Sequence, residues 1–102
     1  MKPLTRQEEQ ILLVIYHLGD TAYLVNIREK LKELTGKTLD VGTIYIPLRR
    51  LADRGLLQSA MGAPTAARGG KAIKYYQLTP AGAAALTEMR DIQERLWKGV
   101  VL

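Results

Sequence analysis

The run Asp40-Val41-Gly42-Thr43-Ile44-Tyr45-Ile46-Pro47-Leu48-Arg49-Arg50-Leu51, continuing into Arg54-Gly55-Leu56, decides how the rest of the chain is read. Asp40 has a short side-chain acceptor suited to cap a helix N-terminus. Ile44, Leu48 and Leu51 then recur with steps of four and three residues, the spacing of a buried helix face. Gly55 supplies the stop. Pro47 opposes a helix here, because it removes a backbone donor and crowds the preceding turn, at a cost of about 3 kcal/mol in an ordinary helix interior. The caps and the apolar stripe outweigh one residue, so a helix with a kink at Pro47 is expected. With the stripe turned inward at about 100° per residue, the opposite face carries Gly42, Ile46, Arg49 and Asp53, flanked by Thr43, Tyr45 and Arg50.

Upstream, only residues 36–39 separate this helix from the one before it, the length of the turn in a helix-turn-helix. That earlier helix is expected to begin after Thr21 and to carry Leu24, Ile27, Leu31 and Leu34 as its apolar stripe. Arg28, Glu29, Lys30, Lys32 and Glu33 face away, and Gly36 ends it. A first helix opens at Thr5, which with Glu8 has the S/T-x-x-E spacing of a capping box. Ile11, Leu12, Ile15 and Leu18 follow at helical spacing, and Gly19 with Asp20 closes the run.

Downstream, the periodicity changes. A short apolar segment over residues 56–61 is followed by a Gly-, Ala- and Pro-containing loop, and strand-forming residues return over 72–78 with Ile73, Tyr75 and Tyr76. Gly69 and Gly70 suit the turn between two antiparallel strands. Tyr75 and Tyr76 alternate across a strand, so one is expected in the core and the other exposed. Thr79 and Pro80 read as an N-cap and a first helical residue, opening a last helix with Leu86, Met89, Ile92 and Leu96 on one side. The fold class is therefore mainly α with a β-hairpin, in the order helix, helix, helix, hairpin, helix. This is the plan of a winged helix-turn-helix, here over residues 1–79, with a C-terminal dimerisation helix over 80–102 forming one compact unit with it.

A chain of 102 residues supports one core and no second domain of ordinary size. It has no cysteine, so disulfides, thiol catalysis and Cys-based zinc sites are excluded. Neither a secretory leader nor an apolar run of membrane-spanning length is present, and a cytoplasmic protein with no membrane partner is expected. One histidine, no phosphate loop and no suitably spaced carboxylate pair leave nothing to organise catalysis, so no enzyme and no cofactor is expected. His17, near the end of an apolar helix, reads as ordinary surface.

The net charge of +5 is not spread evenly. Residues 36–79 hold seven basic groups against Asp40 and Asp53, whereas the remainder is balanced at eight of each sign. A concentrated positive region attracts a polyanion, and double-stranded DNA is the partner that fits a helix-turn-helix. The candidate DNA-binding residues are Thr43, Tyr45, Arg49 and Arg50 on the third helix and Arg68, Lys71 and Lys74 on the hairpin. Arg49 and Arg50 are equally able to pair with Asp53 or Glu33 at the surface. The last helix presents Leu86, Met89, Ile92, Leu96 and Trp97 as a broad apolar surface that overhangs a 75-residue body, so a symmetric dimer interface is expected there. Trp97 also suits stacking on a flat small molecule, although interface packing alone explains it. The competing reading is a winged helix used as a protein-interaction module without specific DNA binding.

Two separated stretches resemble the PadR family of regulators: Val41 through Leu51 running into Arg54-Gly55-Leu56, and Arg68-Gly69-Gly70-Lys71 with Tyr75-Tyr76-Gln77-Leu78-Thr79-Pro80-Ala81-Gly82. They are similar to that family's recognition helix and wing, in the same order and spacing, and the family tolerates a proline where Pro47 stands. Tyr23 resembles a tyrosine that the family places near the DNA backbone at the start of its second helix, with Ala22 where glycine is frequent. Asp40 replaces the family's usual serine, keeping the cap and adding a negative charge. The resemblance implies a cytoplasmic homodimer on an inverted-repeat operator, usually a repressor and in some cases released by a small-molecule effector. The chain resembles the short branch of the family, without the long helical C-terminal domain.

Overall fold

The computed structural model describes residues 2–62 and 72–102. In chain order it contains α1 (Arg6–Leu18), a single 3-10 turn (Gly19–Thr21), α2 (Leu24–Thr35), α3 (Val41–Asp53), β1 (Leu57–Met61), β2 (Lys74–Leu78) and α4 (Pro80–Trp97). This is the mainly helical, hairpin-bearing winged helix that the patterning predicts.

The capping box of α1 forms as expected. The Glu8 amide donates to Thr5 Oγ1 at 3.1 Å, and the Thr5 amide donates back to Glu8 Oε1 at 2.8 Å. Ile11, Leu12, Val14 and Ile15 are buried on its inner face. At the other end of the domain's central helix, Gly55 adopts φ +76, with its own amide bonded to the Ala52 carbonyl and the Leu56 amide to Leu51. That is a Schellman closure, and it turns the chain from α3 into β1 while Leu51 and Leu56 stay buried together.

Helix α2 begins at Leu24, later than a start directly after Thr21, and the reason is non-local. Ala22 and Tyr23 are extended: the Tyr76 amide donates to the Ala22 carbonyl at 2.9 Å, and Tyr23 bridges antiparallel to Tyr75. The segment before α2 thus adds a third, one-residue strand to the hairpin. Thr21 instead turns its hydroxyl back to the Leu18 carbonyl, and Asn26 supplies the cap, accepting from the Tyr23 amide at 2.8 Å and donating to the Thr21 carbonyl at 2.7 Å. Leu34, expected in the α2 stripe, is exposed. It lies two turns beyond Ile27 at nearly the same azimuth, so the difference is axial: the last turn of α2 projects past the core.

Helix α3 is continuous from Val41 to Asp53 with Pro47 on its buried side. The carbonyl deprived of a donor belongs to Thr43, an exposed residue, where water can satisfy it. Strands β1 and β2 pair antiparallel with Leu57 opposite Leu78 and Met61 opposite Lys74. Tyr76 points into the core, which is built from Ile11, Leu12, Ile15, Ile27, Ile44, Leu48, Leu51 and Leu56.

Thr79 fastens α4 to the α3–β1 junction. Its hydroxyl accepts from the Gly82 amide at 3.0 Å and donates to the Gly55 carbonyl at 2.7 Å. Gly82 lies so close to this junction that a Cβ there would sit 2.2 Å from the Leu56 carbonyl oxygen and 2.6 Å from Leu78 Cδ1. A backbone oxygen cannot step aside as a flexible side chain can. Gly82→Ala is therefore expected to destabilise the domain by about 1–3 kcal/mol in urea or thermal denaturation, despite Ala being the better helix former. An unchanged midpoint would show that α4 does not approach this closely.

Candidate nucleic-acid interface

The inner face of α3 sets what its outer face presents. Ile44, Leu48 and Leu51 are fully buried, so Gly42, Thr43, Tyr45, Ile46, Arg49, Arg50 and Asp53 are all left exposed. Asp40 starts this surface. Its Oδ1 accepts from both the Thr43 hydroxyl, at 2.6 Å, and the Thr43 amide, at 2.7 Å. Those bonds, with a smaller contribution from the charge of Arg28, hold the Asp40 carboxyl below the usual carboxylate range. Arg28 itself is half-buried and donates from Nε to the Leu39 carbonyl, tying α2 to the turn before α3.

The two α3 arginines have different surroundings. Arg50 Nε lies 3.8 Å from Glu8 Oε2, and Arg54 Nη1 lies 3.8 Å from Glu8 Oε1. Glu8 is thus a buried carboxylate of α1 that caps its own helix and also faces two guanidinium groups of the α3 segment. The Thr5–Glu8 spacing encodes its capping role, but the partner of Arg50 is Glu8 and not the expected Asp53 or Glu33, a contact no local spacing encodes. Arg49 makes no ion pair among the described residues.

On the hairpin, Lys74 is exposed, with Nζ 5.8 Å from the centroid of the Tyr76 ring. Burial pushes the Tyr76 phenol up, with a smaller effect from nearby Tyr45 of α3. With Tyr76 in the core, Tyr75 is the tyrosine expected to be exposed, and it is only partly so. It is half-buried, edge-on to Tyr23 with centroids 5.8 Å apart and planes at 70°. Gly62 closes under it: a Cβ there would fall 2.5 Å from Tyr75 Cε2. Tyr23 is itself half-buried and belongs at once to the α2 start and to the hairpin. Arg68 and Lys71, with the expected Gly69–Gly70 turn, lie outside the described residues.

Helix α4 divides into two halves. Ala85 is buried, and Leu86 and Met89 pack half-buried against the domain's own core. Ile92 is half-buried, whereas Leu96 and Trp97 are 67% and 58% exposed. A groove between α1 and α4, lined by Glu9, Leu13, Leu86, Thr87 and Arg90, runs beside the first half. Among the described residues there is no group of three or more His, Cys, Asp or Glu able to hold a metal ion, and no helix long and apolar enough to cross a membrane. His17 is exposed and edge-on to Tyr16.

The sequence profile described as the transcriptional regulator PadR-like family matches residues 11–88. A PadR-like transcription factor from Bacteroides fragilis is 31% identical, with 90% of this chain and 84% of that one superposed at a TM-score of 0.77. A PadR family transcriptional regulator from Eggerthella lenta is 30% identical over 92% of this chain and 80% of its own, with a TM-score of 0.73. A transcriptional regulator from Clostridium thermocellum is 25% identical over 89% and 85%, with a TM-score of 0.75. No curated protein matches.

The Glu8 cluster gives a stability test that separates cap from charge. Glu8→Gln keeps an acceptor for the Thr5 amide but loses the ion pairs. Arg50 is more than half exposed, so its pair is screened, and Arg54, 23% exposed, keeps its bond to the Lys2 carbonyl, so the loss should be about 1 kcal/mol. Glu8→Ala removes the cap as well and should cost about 2 kcal/mol in urea denaturation. Equal losses for the two variants would contradict this division.

Proposed function

The chain belongs to the PadR-like family of transcriptional regulators, and from that premise we propose that it is a cytoplasmic homodimer that represses transcription by binding inverted-repeat operators on double-stranded DNA. The observation that carries this reading is the exposed face of α3, held in one azimuth by a fully buried opposite face and set in the one part of the chain with excess positive charge. A major groove accepts such a helix. In this reading Arg49 reaches a guanine edge or a phosphate, Tyr45 and Thr43 offer hydroxyl oxygens, and exposed Ile46 offers an apolar contact to a thymine methyl. Arg50, steered by Glu8, and Lys74 contact the phosphate backbone. Tyr23 contributes from the junction of α2 and the hairpin. Arg68 and Lys71 join them on the strength of the sequence.

The body over residues 1–79 is the DNA-binding part, and α4 is the dimerisation helix. Its first half is already seated on its own core, so the partner surface is concentrated on Ile92, Leu96 and Trp97, with the exposed sides of Leu86 and Met89 at its edge. Exposed Val41, Tyr45 and Ile46 would equally suit a protein partner for α3, the second reading. Salt distinguishes the two. A DNA regulator with several phosphate contacts should lose affinity for its operator by orders of magnitude between low and physiological salt. Flat salt dependence with no preferred duplex favours the protein partner.

Arg49→Ala should lower the ratio of operator to random-duplex affinity by about fivefold or more in fluorescence titrations, without changing the thermal midpoint. An unchanged ratio means that Arg49 does not read bases. Ile92→Glu combined with Leu96→Glu should convert the protein to a folded monomer in sedimentation, because unpaired charges in a dry seam are costly. Operator affinity should then fall by about 100-fold or more, since each monomer holds a single half-site. A variant that stays dimeric, or a monomer that binds as tightly as the original, refutes this role for α4.

A further inference from the structure

Asp40 and Thr43 make one end of the α3 face unlike the rest. An ionised carboxylate has no hydrogen to give, so the 2.6 Å contact between Thr43 Oγ1 and Asp40 Oδ1 is donated by the threonine. Oδ1 also takes the Thr43 amide. The hydroxyl hydrogen is thereby committed inward, and Thr43 faces solvent with lone pairs only. Asp40 Oδ2 has no hydrogen-bond partner among the described residues. Gly42 leaves the pair uncovered: even a Cβ there would stand 3.8 Å from Asp40 Oδ1, and residues 40–43 are all exposed. The nearby cation, Arg28, gives its Nε hydrogen to the Leu39 carbonyl. The result is two adjoining side-chain oxygens that face outward as acceptors.

Resting on the operator-binding reading above, we propose that Asp40 and Thr43 together select a cytosine at one position of each half-site, by accepting its groove-facing amino hydrogen. The chemistry of base edges makes the choice. Guanine presents the acceptors N7 and O6 and thymine presents O4, so both set acceptors against these two oxygens. Adenine offers its amino group beside the acceptor N7, which opposes the second oxygen. Cytosine alone offers an amino donor with no acceptor on its groove edge. A capping serine could rotate its hydroxyl and donate; the carboxylate cannot. Asp40 is thus a specificity-determining residue as well as a cap, and it also repels phosphate from this end of α3.

The test is selection from a pool of randomised duplexes by the original protein, Asp40→Asn and Thr43→Val. Asparagine is a strong N-cap, so Asp40→Asn folds normally. Its amide oxygen stays on the Thr43 amide, and its NH2 replaces Oδ2 as a donor toward the groove. The original protein should select cytosine at one position per half-site by about tenfold or more over guanine and thymine. Asp40→Asn should lose that preference and gain guanine there, and Thr43→Val should weaken it, with other positions unchanged in both. If all three proteins select the same consensus, the proposal is overturned while operator reading stands. A uniform rise in affinity of Asp40→Asn for every duplex is charge removal alone and likewise overturns it. No consensus from the original protein overturns operator reading itself, and this inference with it.

Discussion

The burial of Ile44, Leu48 and Leu51 is the interaction on which the rest of the molecule depends. Each is fully removed from water, a contribution of about 1.5–3 kcal/mol per side chain. Because the three share one face, their burial fixes the rotation of α3 about its axis. A slip of one residue would turn the helix by about 100° and drive Arg49 or Tyr45 into the core. The ends are fixed with equal definiteness, by Asp40 on the Thr43 amide and by the Schellman turn at Gly55. What the exposed face offers is a consequence of what the hidden face cannot give up.

That seating propagates outward through contacts between distant segments. Glu8 of α1 faces Arg50 and Arg54, Arg28 of α2 holds the turn before α3, and Thr79 holds the turn after it. The hairpin is attached twice, through Tyr76 in the core and through the Tyr23–Tyr75 pair at the start of α2. The base of the wing is therefore in register with α3, which a two-element DNA contact requires. The distal half of α4 is the exception. Leu96 and Trp97 stay exposed there, and in the proposed dimer a second copy covers them.

The parts legible in the sequence are those written locally. Thr5 with Glu8, Asp40, Gly36, Gly55 and Thr79 with Pro80 mark helix ends by chemistry that acts within a few residues, and the α3 stripe orients the candidate face by periodicity alone. Pro47 was readable as an anomaly, and its tolerance follows from the exposure of the residue whose carbonyl it leaves free. The features that depart from the local pattern, Leu34 aside, depend on partners from other segments of the chain. Ala22 and Tyr23 are extended because β2 pairs with them, Tyr75 is covered because Tyr23 and Gly62 reach it, and the ion pairing of Arg50 resides on α1. Leu34 has the right azimuth but lies beyond the core, and periodicity carries no axial information. That the first half of α4 is seated on its own body while Leu96 and Trp97 are exposed is likewise a matter of where the body ends.

The central claim is that the exposed face of α3, together with the hairpin, meets double-stranded DNA. The most direct measurement is a backbone amide NMR titration of the intact protein with its selected operator duplex. The account predicts that the largest shifts fall on Gly42, Thr43, Tyr45, Ile46 and Arg49 and on Lys74 of β2. The amides of Ile92, Leu96 and Trp97 on the distal part of α4 should stay unmoved. Shifts confined to α4 or to the α1–α4 groove, with the α3 amides unperturbed at saturation, would contradict it.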